Sequence, residues 1–279
     1  MDDVDRLSLT LYSGIGDLTV GRQAISWGIS NLFPTSDRWT QFSPFELDTE
    51  EKPGVDALRM LSYPMAGLEL DMVVADRGSA DDLSAGVRAS LGLSWADIYL
   101  AGGKFWNEIL GMGGVSAPMG RWKIRAEGTI PYDLDQDEVK LPTVTLGVDL
   151  LGGEAMVSGE YHFNGIGVTE TDQYLDVLED PRFQRGDSYY LGRHYLGGVG
   201  SWTPGNDRLS LTFSGMANLQ DGSTILTPML TYDFGQETRV TLGGVLSSGK
   251  VPQFGDEPII NSEYGMYGDL LFTRVSIYF

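Results

Sequence analysis

Two groups of side chains in this sequence could do chemistry. Arg121, Lys123, Arg125 and Glu127 recur at every second position, and so do Ser158, Glu160 and His162. A hydroxyl, a carboxylate and an imidazole are the parts of a hydrolytic triad. Same-face neighbours two apart on a strand stand roughly 7 Å from one another, however, beyond hydrogen-bond reach. The trio therefore reads as a hydrogen-bonding wall, and no residue is expected to be catalytic. Three like charges on one strand face cannot all pair locally. A row of them creates a field that sorts solutes by sign. The chemistry on offer is a charged surface rather than an enzyme's.

Composition narrows the partners. The 279 residues include 39 acidic and 19 basic side chains, a net charge of −20. Such acidity argues against nucleic acid, whose phosphates would be repelled. With no Cys, disulfides, thiolate metal sites and Cys nucleophiles are excluded, and two His cannot make a His-rich metal centre. Asp133-Leu134-Asp135-Gln136-Asp137 lacks the full spacing of a calcium loop and reads as a solvated acidic turn. No metal or cofactor is expected. No run of about 18 apolar residues occurs, so no membrane-spanning helix is expected. Met1 is followed at once by Asp2 and Asp3, with no sign of a signal peptide.

The elements that would carry these residues are strands. In 120–130, Trp122, Ile124, Ala126, Gly128 and Ile130 share one face, and Arg121, Lys123, Arg125, Glu127 and Thr129 the other. Segments 67–74, 83–93, 154–164 and 208–214 repeat the pattern. Only 171–178 looks like a short helix, inside a loop. A sandwich would alternate too. Here, though, short turns such as 14–17, 64–67, 204–207 and 234–237 differ from long polar connections at 28–54, 131–141, 165–187 and 248–266. Short turns at one end and long loops at the other describe an all-β, antiparallel transmembrane barrel, one domain over 1–279. A direct count gives fifteen strands. Single-chain bacterial barrels have even numbers, so the expectation is about 14, dropping the Gly-rich 108–116, or 16, with an amino-terminal strand missing.

Particular segments carry a family resemblance. The ending Leu271-Phe272-Thr273-Arg274-Val275-Ser276-Ile277-Tyr278-Phe279 resembles the carboxy-terminal assembly signal of outer-membrane barrels. Val20-Gly21-Arg22-Gln23-Ala24-Ile25-Ser26-Trp27-Gly28 is similar to a segment of porin-like and alginate-export-like barrels, as are 53–59 and 160–165. The resemblance implies a Gram-negative outer-membrane barrel set among lipid and lipopolysaccharide. It also implies that Tyr278 and Phe279 are read by the barrel-assembly machinery.

Alternation then sorts the pore lining. Arg59, Arg88, Arg121, Lys123, Arg125, Arg239 and Arg274 face the lumen with Glu69, Asp71, Glu127 and Glu160, and Arg22 and Arg193 are expected to join them. The expected function is a porin-like channel for passive diffusion of small polar or anionic solutes past a basic wall. A sheath or export conduit around a partner protein or polymer is the alternative, and an outer-membrane hydrolase a weaker one. The connection 28–54, with Trp39, Phe42 and Phe45, either folds into the lumen or lies over the rim.

Overall fold

The computed structural model describes residues 6–40, 52–79, 82–205, 208–235, 237–253 and 258–277. The strand Trp122–Asp133 shows what kind of sheet they build. Trp122, Ile124 and Ile130 are 50%, 47% and 55% exposed, whereas Arg125, Glu127 and Thr129 are 2%, 3% and 0% exposed. This is inside out for a strand in water. The pattern recurs where Leu100 is 71% exposed beside buried Tyr99. Each exposed Leu or Ile forgoes part of the ~1.5–3 kcal/mol that full burial would contribute in water, and a contiguous face of them demands an apolar surrounding.

Contacts divide the chain into two compact units. The first comprises residues 1–30, 34–118 and 125–145, and the second 31–33, 119–124 and 146–279. The first unit carries β1 (Leu7–Tyr12), β2 (Asp17–Gln23), β3 (Val55–Met65), β4 (Leu68–Ala75), β5 (Ser84–Gly92), β6 (Asp97–Phe105), β7 (Glu108–Met119), most of β8 (Trp122–Asp133) and the two-residue β9 (Glu138–Val139). The second carries most of β10 (Thr143–Gly152), then β11 (Ala155–Phe163), β12 (His194–Trp202), β13 (Leu209–Asn218), β14 (Thr224–Asp233), β15 (Thr238–Ser248) and β16 (Leu270–Ile277). In each unit the strands are antiparallel and hydrogen-bonded in chain order, with β9 branching from β8. Sixteen strands are thus present among the described residues, the higher expected count. The Gly-rich 108–116 belongs to β7, and β9 is the strand that direct counting passes over.

Local chemistry explains the connections. Tight turns close on glycines held at positive φ, Gly67 (80°), Gly120 (66°) and Gly235 (90°), where a side chain would be strained. Alternate connections are longer. In 164–193, residues 171–173 form a 3-10 turn that runs into α1 (Tyr174–Glu179), followed by α2 (Pro181–Gln184), which Asp180 caps by accepting from the Arg182 amide. The acidic 131–141 is a small hairpin in which Asp133 accepts the amides of Asp135 and Gln136.

Two glycines give the β5–β6 register and its control. A Cβ on Gly103 would lie 2.2 Å from the Ala85 carbonyl oxygen and 2.6 Å from Gly86 Cα, backbone atoms that cannot yield. Gly111, on β7, has nothing within 4 Å. Gly103→Ala is expected to cost about 1–3 kcal/mol and to lower the thermal midpoint in detergent, while Gly111→Ala leaves it in place. Equal midpoints for the two variants would refute this reading of the register.

Candidate functional site

The polar face of the strands is covered, in part, by the chain that leaves β2. In the first unit, Trp27 Nε1 donates to Asp71 at 2.8 Å, and Arg59 clamps the same carboxylate through two bonds of 2.8 and 2.9 Å. Trp27 meets Trp39 edge-on at 5.0 Å and Phe105 at 6.4 Å. Gly86 makes room for it, since a Cβ there would lie 2.9 Å from the indole. Beyond Trp27 the backbone is irregular and its amides need acceptors. The buried Glu127 carboxylate takes the amides of Ile29 (2.9 Å), Ser30 (3.3 Å) and Thr35 (2.9 Å), along with the Tyr99 hydroxyl (2.9 Å). Arg125 Nη1 donates to the Ile29 carbonyl at 2.8 Å, and Thr129 Oγ1 to that of Thr35 at 2.9 Å.

The second unit repeats the device. Glu160 accepts the amides of Asn31 (2.6 Å), Leu32 (3.0 Å) and Phe33 (3.1 Å). The Asn31 amide group donates to Ser158 Oγ at 3.1 Å. Phe33 stacks on His162, ring centroids 4.7 Å apart and planes 8° from parallel, and also meets Tyr190. Gly197 leaves the space, because a Cβ on it would lie 2.7 Å from Phe33 and 2.8 Å from Leu32. Ser158, Glu160 and His162 share a face as the spacing requires, and each holds residues 31–33 in place.

The remaining sequence-predicted residues scatter more widely. Arg125 is buried under Ile29 and is not presented to solvent. Arg121 falls in the β7–β8 turn, exposed, 3.4 Å from the Leu151 carbonyl. Lys123 and Arg274 are half-buried on β8 and β16. Arg239 pairs with Asp233 at 2.7 Å. Arg22 lies on the face opposite Gln23, paired with Asp56 at 2.9 Å, because it is one residue out of phase with the polar positions. Arg193 donates to the Gly167 carbonyl. Phe42, Phe45, Tyr278 and Phe279 lie outside the described residues.

Arg88 and Glu69 meet at one cavity. A space of about 270 Å³ in the first unit is lined by Glu69, Arg88, Ser90, Asp97, Tyr99 and Ser116, with Ile29 at its edge. The Arg88 guanidinium lies over the Tyr99 ring, 4.7 Å from its centroid, with Glu69 3.6 Å away. Arg88 Nε, Ser90 Oγ and Ser116 Oγ are buried and hydrogen-bond to no group among the described residues. Register brings them together, with Ser90 opposite Tyr99 and Ser116 opposite Asp97. The charged lining is mixed, one guanidinium with the carboxylate residues Glu69 and Asp97.

No protein-family model and no curated protein sequence matches the chain. Solved structures do. Pseudomonas aeruginosa OpdL superposes with a TM-score of 0.62 over 87% of this chain and 76% of that one, at 10% identity. Pseudomonas aeruginosa OccK3 (OpdO) covers 96% of this chain and 78% of that one at TM-score 0.61 and 12% identity. The outer membrane protein OpdK from Pseudomonas aeruginosa gives 0.57 over 87% and 75%, with 11% identity. The chain has the outer-membrane β-barrel fold. In that fold the apolar strand face meets lipid and the polar face turns inward, which is the inversion seen on β8.

Sequence reasoning placed Glu127 and Glu160 on the polar face but missed their task. The signal was available in the aromatic anchors Trp27, Phe33 and Trp39, spaced along an irregular segment that needs both apolar seats and amide acceptors. Each hydrogen bond to a charged acceptor contributes about 1.5–3 kcal/mol. Glu160→Ala is therefore expected to speed hydrogen exchange at the amides of residues 31–33 by at least about tenfold, and Glu127→Ala to do so at 29, 30 and 35. Unchanged exchange in both variants, followed by mass spectrometry, would show that the carboxylates do not hold the segment.

Proposed function

We propose that residues 1–279 form a single closed barrel in the bacterial outer membrane, a channel for passive diffusion of small polar or anionic solutes and not an enzyme. The observation that carries this reading is the cavity at Arg88. The Arg88 side chain, two serines and the carboxylate residues Glu69 and Asp97 line this space of about 270 Å³. A solute oxygen that reaches the guanidinium gains a charge-assisted hydrogen bond. Lys123, Arg239 and Arg274 extend the basic character of the wall, while Glu69 and Asp71 temper the attraction near Arg88 and Arg59. A weak, multi-site field of this kind suits conduction, since a solute that binds tightly does not leave.

The setting follows from the same fold. The exposed apolar residues would face lipid, with lipopolysaccharide around the outer rim, and Tyr278 and Phe279 would serve the barrel-assembly machinery. A sheath or export conduit enclosing a partner protein or polymer fits less well, because Trp27, Ile29 and Thr35 already engage Asp71, Arg125, Glu127 and Thr129 in the first unit. No role in nucleic-acid binding is assigned.

The test is reconstitution of the purified protein in a planar bilayer. Ohmic steps are expected, with a reversal potential in a salt gradient that favours anions. Arg88→Gln should move that potential toward the cation side without changing the step frequency. Absence of conductance would overturn the channel reading. An unshifted potential in the variant would remove Arg88 from the solute path.

A further inference from the structure

Glu263 is a buried acid that the wall does not explain. It is 1% exposed and lies in the connection 249–269, at the start of the 3-10 turn Tyr264–Met266. Its carboxylate accepts from three donors on two pieces of chain: the Leu191 amide at 3.2 Å and the Tyr195 hydroxyl on one, and the Asn218 side-chain amide at 2.7 Å on the other. Its own amide donates to Asp221 at 2.8 Å, and the next amide, of Tyr264, donates to Ser223 at 3.1 Å. Tyr174 of α1 closes the network, accepting from Asn218 at 2.9 Å and donating to Asp221 at 2.8 Å. Glu263 and its neighbour Tyr264 thus tie residues 258–269 to the connection 164–193, to 219–223 and to the ends of β12 and β13, all within the second unit. The carboxylate acts through Leu191, Tyr195 and Asn218, and the two amides through Asp221 and Ser223.

The groups that face Glu263 among the described residues carry no positive charge. They are Tyr174 on α1, Tyr190 ahead of β12, Tyr195 on β12, Asp221 in the β13–β14 turn, and Tyr264 and Tyr267 on its own connection. We propose that Glu263 is a pH-operated latch: while protonated it holds these connections together, and when it ionises it releases them. Ionisation puts a charge in a dry site beside Asp221, whereas release returns the carboxylate to water.

Burial, with Asp221 adding to it, pushes the Glu263 carboxyl up from 4.5 to about 7, against the pull of its three hydrogen-bond donors. A carboxyl raised in the closed form binds its proton more tightly there than in the released form. The latch is therefore fully effective below about 4.5 and weakens as pH rises toward and through about 7. Between pH 5.5 and 8.5 the release constant should rise by about 30-fold, as expected for a shift from 4.5 to about 7.

Hydrogen exchange on the intact protein in detergent reads this directly, whether or not the barrel conducts. After correction for intrinsic rates, peptides spanning 188–193 and 258–267 are expected to lose protection by about 30-fold from pH 5.5 to 8.5, while those on β2–β6 do not. Glu263→Gln, which keeps the shape and cannot ionise, should flatten the response. Tyr195→Phe removes a donor that favours the ionised form and should move the midpoint upward, and it supplies the test if Glu263→Gln fails to fold. Equal corrected protection at both pH values, or a full response in Glu263→Gln, would overturn the proposal, as would an unmoved midpoint in Tyr195→Phe.

Discussion

A segment laid across a polar wall brings its own unpaired amides with it, and the rest of this structure is arranged around satisfying them. Residues 29–33 and 35 are neither helix nor strand, so their N–H groups have no ladder to join. Two carboxylates take all six, Glu127 three and Glu160 three. An ionised carboxylate accepts only and has about four lone-pair directions. A glutamine in either place would turn an NH₂ toward a converging row of donors. The acid is required by the geometry of the segment, Glu127 on β8 for residues 29, 30 and 35 in the first unit and Glu160 on β11 for residues 31–33 in the second.

Amide capture alone would leave the segment's side chains adrift on a hydrophilic surface. Aromatic anchors solve this, and each needs a seat. Trp27 rests where Gly86 has no side chain, and Phe33 where Gly197 has none. Around Trp27, the residues Ile25, Trp39, Val55, Val73 and Phe105 make a small apolar cluster on a face that is otherwise polar. Around Phe33 the partners are His162, Tyr190 and Tyr195, rings with one polar end, which can pack and still hydrogen-bond. Removing the glycines would block the anchors without touching a hydrogen bond. Backbone satisfaction and shape complementarity are separate requirements met at the same two places.

These two requirements also explain how much was legible in the sequence. Period-two alternation identifies strands and faces wherever a strand has one wet and one apolar side, so β8, β11 and β13 stand out from the residue pattern alone. It reports which face a residue is on and nothing about what lies over that face. Alternation puts Arg125 on the face opposite Trp122 and Ile124, where the structure has it buried, and Ile29 covers it. Arg121 shares its parity with Lys123 but lies one step past the strand, in a turn set by Gly120. Arg22 follows a glycine at φ 116°, where a Cβ would strike the Leu7 carbonyl. Its pairing with Asp56 belongs to the opposite face. The cavity at Arg88 depends on register across β4 to β7, which no single segment encodes.

The acidic excess takes its meaning from the same accounting. A chain with long irregular connections has a surplus of amide donors, and Lys or Arg cannot accept from them. Carboxylates can. Asp133 takes two amides in its turn, Asp180 caps α2, and Asp221 takes the amides of Ser223 and Glu263. Glu127, Glu160 and Glu263 do the same at greater range. Acids engaged in this way hold backbone in place. The net figure of −20 therefore includes acids whose task is structural, several of them in the connections rather than on the strands. At the cavity on β4 to β7, by contrast, Glu69 faces the Arg88 guanidinium at 3.6 Å and accepts from no backbone amide among the described residues.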